Sequence, residues 1–539
     1  MAVGHDDNHG HPGLLLRLRR NLHDVQQFGD QERFTLGDRC GEQDTTDIVL
    51  AYGNTGVEEV TVRRPAHSYF PVIVHIDDAG RLTVADTMAF MHDVVRQQQL
   101  QPDLQAQRDH LLFGRPAATG LVDGLHIVDH GQQAQLRRTD GRWEFVEQTQ
   151  YDAFDQDAAV HWKQGVDEFA RRLHNVIDTI APTDVLFSGG VDSTLVRSLL
   201  DDDVRLLTAR IPGEQFVPEV EQAGRAARWF DDEHRLIDVE HHDYLDLLVE
   251  VTQTTGLPCP AMQHVLQTQA ASEARSAACY GELGDGTYGF PIIGPSLRQW
   301  FDNAGLEPSE AAARQFSLAS MRDDDHSFTA EIEQVYGAVD AAHRRRSERV
   351  SRLVDWSDRF VERGSDWEKF VVCGHITDMI TVGCIRFVRD VAASRGVTLH
   401  TPLMERPVID CFHRFDPATR YRDGERVKPV LKALLQRRVV DYPVDRTKLA
   451  SGLPRSWYFT DGPLSTAFDR FPPPSPMAQV VRRAVENPQW HNSWILWPAL
   501  SYSVWYHRWF SVDQVGERDD RVEYDRGTPM ERSPRVATG

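Results

Sequence analysis

The sequence predicts an α/β protein: a doubly wound parallel sheet with a helical C-terminal part, preceded by a β-rich unit. Three observations predict it. The stretch "DVLFSGGVDSTLVRSLL", Asp184 to Leu200, sets a short hydrophobic strand and a helix-period run on either side of a polar turn with two adjacent glycines. Behind it "VRLLTARIPG" reads as a second buried strand, "EVEQAGRAARWF" as a helix and "HRLIDVE" as a third strand, an alternation that belongs to βαβ units. Ahead of it, from about Asp47 to Thr149, short alternating runs mark strands, among them "IVLAY", "YFPVIVHI", "GRLTVAD", "GLHIVDHG" and "RWEFVEQ".

In chain order, residues 1–45 read as a polar tail, whose His5, His9 and His11 have no carboxylate or cysteine spaced to complete a metal site. Residues 46–155 form the β-rich unit, with one or two helices such as the stretch around "DTMAFMHDVVRQQ". Residues 156–510 begin with the amphipathic helix "HWKQGVDEFARRLHNVIDTI" and continue through the strands and helices just quoted. From about Pro295 to Arg389 the pattern is mostly helical, with "AAHRRRSERVSRLVDW" as a solvated helix face. A last helical region ends near Phe510, with Trp494, Trp497, Trp505 and Trp509 read as core residues on one helix face, and residues 511–539 read as disordered.

Composition narrows the function. A net charge of −22 over 539 residues argues against a nucleic-acid backbone or an anionic membrane as the main partner. Only five of the 59 basic residues are lysines, which together with the acidic runs predicts adaptation to high salt. The six cysteines form no C-x-x-C pair, so neither a disulfide framework nor a zinc site is expected. With no run of eighteen apolar residues and no signal-peptide core, the expected location is cytoplasmic.

The glycine turn carries the chemistry. It is not G-x-x-x-x-G-K-[ST], so it is no kinase-type phosphate loop. Gly189 and Gly190 let the backbone approach closely, and the hydroxyls of Ser188, Ser193 and Thr194 stand beside the free N–H groups of a helix start. That set suits pyrophosphate. Asp192 within the loop would repel the anion unless a magnesium ion bridged them.

"SGGVDS" after a hydrophobic strand resembles the signature of the ATP pyrophosphatase superfamily, and three later stretches narrow the resemblance to the asparagine synthetase family. "CYGELGDGTYGF" is similar to that family's glycine–glutamate–glycine–x–aspartate segment, with Gly281, Glu282 and Asp285 at matching positions. "HTPLMERPVIDCF" resembles, loosely, its arginine–x–proline–(hydrophobic)₂–aspartate stretch. "KPVLKALLQRRVVDYPVDRTKLASGLP" resembles its lysine–x–x–leucine–arginine helix, arginine–x–lysine segment and glycine–x–proline turn. Three of the five lysines, Lys428, Lys432 and Lys448, fall in this last stretch, where a point charge is kept in place of arginine's planar fork.

The resemblance implies an ATP-dependent ligase that adenylates a carboxylate, aspartate by default, releases pyrophosphate, and lets ammonia or an amine displace AMP. It implies that Leu186, Ser188, Gly189, Gly190, Asp192, Ser193, Gly281 and Lys428 hold ATP, that Asp192 and Asp285 hold Mg²⁺, and that Lys448 and Glu282 are catalytic. Lys448 would stabilise charge on the α-phosphate and Glu282 would accept a proton from the amine.

The N-terminal half departs from the pattern. Glutamine-dependent members place a catalytic cysteine after the initiator methionine, and here that position is Ala2. Cys40, followed by glycine, would serve only if the preceding 39 residues were removed. The β-rich unit is therefore expected to be a shortened, inactive glutaminase-like domain, with ammonia free in solution or supplied by a separate protein. Tyr280 and Gly286 depart from the small hydroxyl residue and the acid usual in the family. A β-lactam synthetase-like or lasso-cyclase-like enzyme, closing an amide within a peptide or modified amino acid, thus stays open, as does a nucleotide-binding regulator without catalysis. A homodimer is one candidate assembly, and a precursor peptide one candidate partner. A tRNA thiolase would need paired cysteines and a basic face, and neither is present.

Overall fold

The computed structural model describes residues 6–11, 13–19, 23–28, 31–36, 46–53, 56–66, 68, 70–114, 120–150, 152, 160–201, 203–213, 216–282, 287–289, 328–353, 384–424, 426–445, 455–486 and 493–511. The first unit runs β1 (Asp6–His11), β2 (Leu14–Arg19), β3 (His23–Phe28), β4 (Gln31–Leu36), β5 (Thr46–Gly53), β6 (Gly56–Arg64), β7 (Val72–Ile76) and β8 (Leu82–Ala85). Then come α1 (His92–Gln97), α2 (Leu104–Phe113), β9 (His126–Val128), β10 (Gln132–Thr139) and β11 (Arg142–Gln150). One sheet has the order β1-β2-β8-β7-β9 and the other β11-β10-β6-β5-β4-β3. Apolar residues from both, including Leu16, Phe34, Ile48, Val60, Val74 and Val84, join one core.

The polar tail expected over 1–45 is corrected here, because residues 6–36 supply four of these strands. Leu14, Leu16 and Leu18 on β2 and Phe34 and Leu36 on β4 are buried at period two. Leu15 between Leu14 and Leu16 blurs the alternation on β2, and β4 offers only two buried apolar residues, so neither strand stands out in the sequence. The tail 511–539 lies, apart from Ser511, outside the described residues.

Next comes α3 (Trp162–Ile180), whose Trp162, Val166, Phe169, Leu173, Val176, Ile177 and Ile180 recur at helical spacing and are all buried. The His161 side chain caps its start by accepting from the Lys163 N–H, and Ala181 in the left-handed region ends it. The chain then builds β12 (Asp184–Leu186), α4 (Val191–Ser198), β13 (Arg205–Arg210), α5 (Val217–Ala227), β14 (His234–Asp238), α6 (His241–Thr255), α7 (Met262–Ser272) and β15 (Ala277–Tyr280). Farther on lie α8 (Phe328–Tyr336), α9 (Asp340–Ser351), α10 (Cys384–Ser394), β16 (Thr398–His400), α11 (Arg406–His413) and α12 (Pro417–Arg420). A short hairpin of β17 (Arg422–Asp423) and β18 (Arg426–Val427) leads into α13 (Pro429–Arg438). The helices α14 (Arg455–Thr460), α15 (Ala467–Arg470), α16 (Met477–Glu486) and α17 (Ser493–Phe510) close the described chain.

Five of these strands make a parallel sheet in the order β14-β13-β12-β15-β16. The first strand, β12, is central, so the chain winds outward to one side and then to the other. Its direction reverses between β12 and β15, which opens a crevice beyond their carboxyl ends. Asp184 anchors the other end of β12: its buried carboxylate accepts from Arg205 Nε at 2.6 Å and from the Arg275 N–H at 3.0 Å. Burial alone pushes this carboxyl up, yet the bonds from Arg205, Arg275 and Thr183 outweigh it and hold it below its ordinary range.

The two units are bonded together. Arg349 on α9 donates to Asp129 at 2.8 Å and Arg345 to Asp109 at 3.1 Å, while Arg406 on α11 donates to Asp152 at 2.8 and 3.1 Å. Trp497, Trp505 and Trp509 on α17 are buried as core residues, in a cluster that also takes in Met88 and Phe90.

Candidate active site

The "SGGVDS" turn falls between β12 and α4, as the sequence predicts, and opens into the crevice at the strand reversal. Leu186 closes β12 with its side chain buried on one face of the sheet. Gly189 has φ +63°, and a methyl group there would lie 2.7 Å from Gln222 O and 2.8 Å from Ala223 Cα on α5. Only glycine fits that approach. Gly190 is the N-cap of α4, and no side chain caps it. The loop bonds to itself loosely: the Gly190 N–H donates to Ser188 Oγ at 3.2 Å, and the Ser188 and Ser193 hydroxyls stand 3.3 Å apart. Such long contacts leave N–H and O–H donors ready for an anion.

Asp192 sits in the first turn of α4. Its Oδ2 accepts from Lys428 Nζ at 2.5 Å, and its Oδ1 is buried with no hydrogen-bond partner among the described residues. Lys428 is itself 5 % exposed and caps α13 from a left-handed backbone, φ +53°. Gly289 packs beneath it, where a methyl group would meet Tyr421 O at 2.4 Å and Lys428 N at 3.0 Å. One turn along α13, Lys432 donates to Asp445 at 3.1 Å. Tyr288 is fully buried nearby, its hydroxyl bonded to Leu403 O; burial first, then Cys411 and Asp192, push that phenol well above its ordinary value.

The second wall of the crevice is the turn after β15. Leu186 pairs with Tyr280 across the two strands, and a methyl group on Gly281 would lie 3.0 Å from Ser193 N and 3.2 Å from the Asp192 carbonyl carbon. The missing side chain lets this turn touch the start of α4. Glu282 follows at once, and its Oε2 accepts from the Tyr280 hydroxyl at 2.8 Å. Asp285 and Lys448 lie outside the described residues.

The structure therefore gathers Ser188, Gly189, Gly190, Asp192, Ser193, Gly281 and Lys428 in one place, with Glu282 beside them. Sequence reasoning missed two residues that hold the loop. Gln222 on α5 donates to Ser188 O at 3.2 Å, and the buried Tyr442 hydroxyl donates to Gly189 O at 2.7 Å. Neither carries a local signal, since both act across the fold.

A glycine turn of N–H and O–H donors at the reversal of a doubly wound parallel sheet, walled by a glycine–glutamate turn and faced by a buried lysine, is the place where α/β domains of this kind take their ligands. The family model for asparagine synthase matches residues 167–495, more than half of the chain, and the protein belongs to that family of ATP-dependent amide-forming ligases. No curated protein matches it. Among the described residues, no helix is long and apolar enough to cross a membrane.

Proposed function

We propose that this protein, working in the cytoplasm, uses ATP to adenylate a carboxylate, aspartate by default, and passes the acyl group to ammonia or an amine with release of pyrophosphate and AMP. The observation that carries this reading is the buried Oδ1 of Asp192, without a hydrogen-bond partner among the described residues, beside a turn of N–H and O–H donors. A hard anionic oxygen in that position fits Mg²⁺, with Asp285 as the second ligand, and the ion would neutralise phosphate charge next to the carboxylate.

Ser188, Gly189, Gly190 and Ser193 would cradle the pyrophosphate half of ATP, with Lys428 held close by through Asp192. Lys448 would oppose charge growing on the α-phosphate. Glu282, one residue beyond the contact with α4, would take a proton from the attacking amine. In this reading the nucleophile is free ammonia, ammonia from another protein, or an amine already on the substrate.

One observation favours a second reading. The Tyr280 phenol, 5 % exposed, fills the space beside Glu282 where a smaller residue would leave room. The acyl substrate would then differ from aspartate, as in a ligase closing an amide within a peptide or modified amino acid. Pyrophosphate release from Mg-ATP in high salt, measured with aspartate plus ammonium, aspartate plus glutamine, and neither, tests both. Release with ammonium but not glutamine supports the first reading. ATP binding without release in any mixture overturns it in favour of a different acyl substrate.

A further inference from the structure

The peptide between Gly189 and Gly190 has a glycine on each side, so nothing in its own chemistry stops it from turning over. Its orientation matters. In a trans peptide the C=O and N–H point in opposite directions. If the Gly189 carbonyl turned into the crevice, it would present a negative dipole to any anion bound there. In the orientation observed, the Gly190 N–H points inward and donates to Ser188 Oγ at 3.2 Å. The Gly189 carbonyl is held on the far side by the Tyr442 hydroxyl at 2.7 Å, in a bond that is fully buried.

We infer that Tyr442 is a positioning residue that locks this peptide so that the Gly190 N–H faces the pyrophosphate half of the nucleotide. The inference deepens the reading proposed above and rests on it. Tyr442 is well placed for the task. It is 2 % exposed, its own backbone is tied to the end of α13 through its N–H to Val439 O at 3.1 Å, and its ring stands 5.1 Å from that of Trp229. The phenol therefore has little freedom to follow the loop if the loop moves. The opposite face of Gly189 is closed by the backbone of α5, and Gln222 fixes the preceding carbonyl of Ser188. The peptide is thus clamped between α5 and the turn after α13.

The phenol also ties the segment after α13 to the glycine turn. Lys432 and Arg426 both reach Asp445 on the same segment, at 3.1 and 3.3 Å.

Tyr442→Phe tests this, because it removes one oxygen and keeps the ring against Trp229. Binding of magnesium pyrophosphate, ATP and AMP is measured by calorimetry for the wild-type protein and the variant, with thermal unfolding alongside. The expected result is a loss of roughly fivefold to tenfold in affinity for pyrophosphate and ATP, the effect of one well-placed hydrogen bond, with AMP affinity unchanged and the melting temperature lowered only by the small amount that one lost buried hydrogen bond brings. A purely structural role would weaken AMP by the same factor as pyrophosphate and ATP, and that outcome overturns the inference. Equal pyrophosphate affinity in the two proteins overturns it as well, leaving the proposed function untouched. Failure of the wild-type protein to bind magnesium pyrophosphate overturns both.

Discussion

Gly189→Ala is a demanding change at the glycine turn. The native backbone there has φ +63°, a region that costs an L-residue about 1–2 kcal/mol. The added methyl group would stand 2.7 Å from Gln222 O and 2.8 Å from Ala223 Cα, where carbon atoms normally sit about 3.5–4.0 Å apart. Both neighbours are backbone of α5, and a helix moves only as a body. Overpacking of this kind costs about 1–3 kcal/mol, so the two effects together come to about 2–5 kcal/mol. A domain with the usual stability of about 5–15 kcal/mol survives that loss folded but weakened. Two responses are open to it: α5 retreats, or the turn abandons its shape. In either case the donors around Ser188 and Gly190 no longer converge. Chemical denaturation should show the stability loss, and calorimetry should show ATP affinity reduced more than tenfold. A variant within about 0.5 kcal/mol of the parent, binding ATP as well, would refute the claim that close packing on α5 shapes the turn.

Two further outcomes are expected. Lys448→Ala should leave ATP binding largely intact and abolish pyrophosphate release; turnover at the wild-type rate removes that lysine from the chemistry. His400, at the end of β16 and 5 % exposed, has its pKa pushed down to about 3 by burial and by the neighbouring Arg389. Because its folded value lies below the ordinary 6.5, its contribution is fully present above pH 6.5 and is lost as the pH falls toward 3. His400→Gln should therefore flatten the fall in unfolding free energy across that window, and an unchanged pH profile would show that other groups govern it.

Much of the ligase half was legible in the sequence because its signals are local. Val185, Leu186 and Phe187 form an apolar run too short for a helix, and the glycine pair marks where strand gives way to helix. Glu282 and Lys428 were placed by their surrounding motifs, and both stand by the turn. The first four strands were not legible: "DDNHGH" and "HDVQQF" carry few apolar residues, and "LLLRLR" and "QERFTL" are too short and too weakly alternating to mark strands in so polar a segment. Tyr442 and Gln222 were invisible for another reason. A tyrosine after a helix and a glutamine on one say nothing about a partner 253 or 34 residues away. Only the winding of the sheet brings them to the glycines.

The weave of the first strands bears on how this protein obtains its nitrogen. Trimming the chain back to Cys40, which a glycine follows, would strip β1 and β2 from beside β8 and β3 and β4 from beside β5. Leu14, Leu16, Leu18, Phe34 and Leu36 would leave the core with them, each worth about 1.5–3 kcal/mol of burial. Two raw sheet edges would be laid open to self-association. Proteolytic maturation at Cys40 would dismantle the sheets of the very unit it was meant to activate, a cost that weighs against a thiol liberated there.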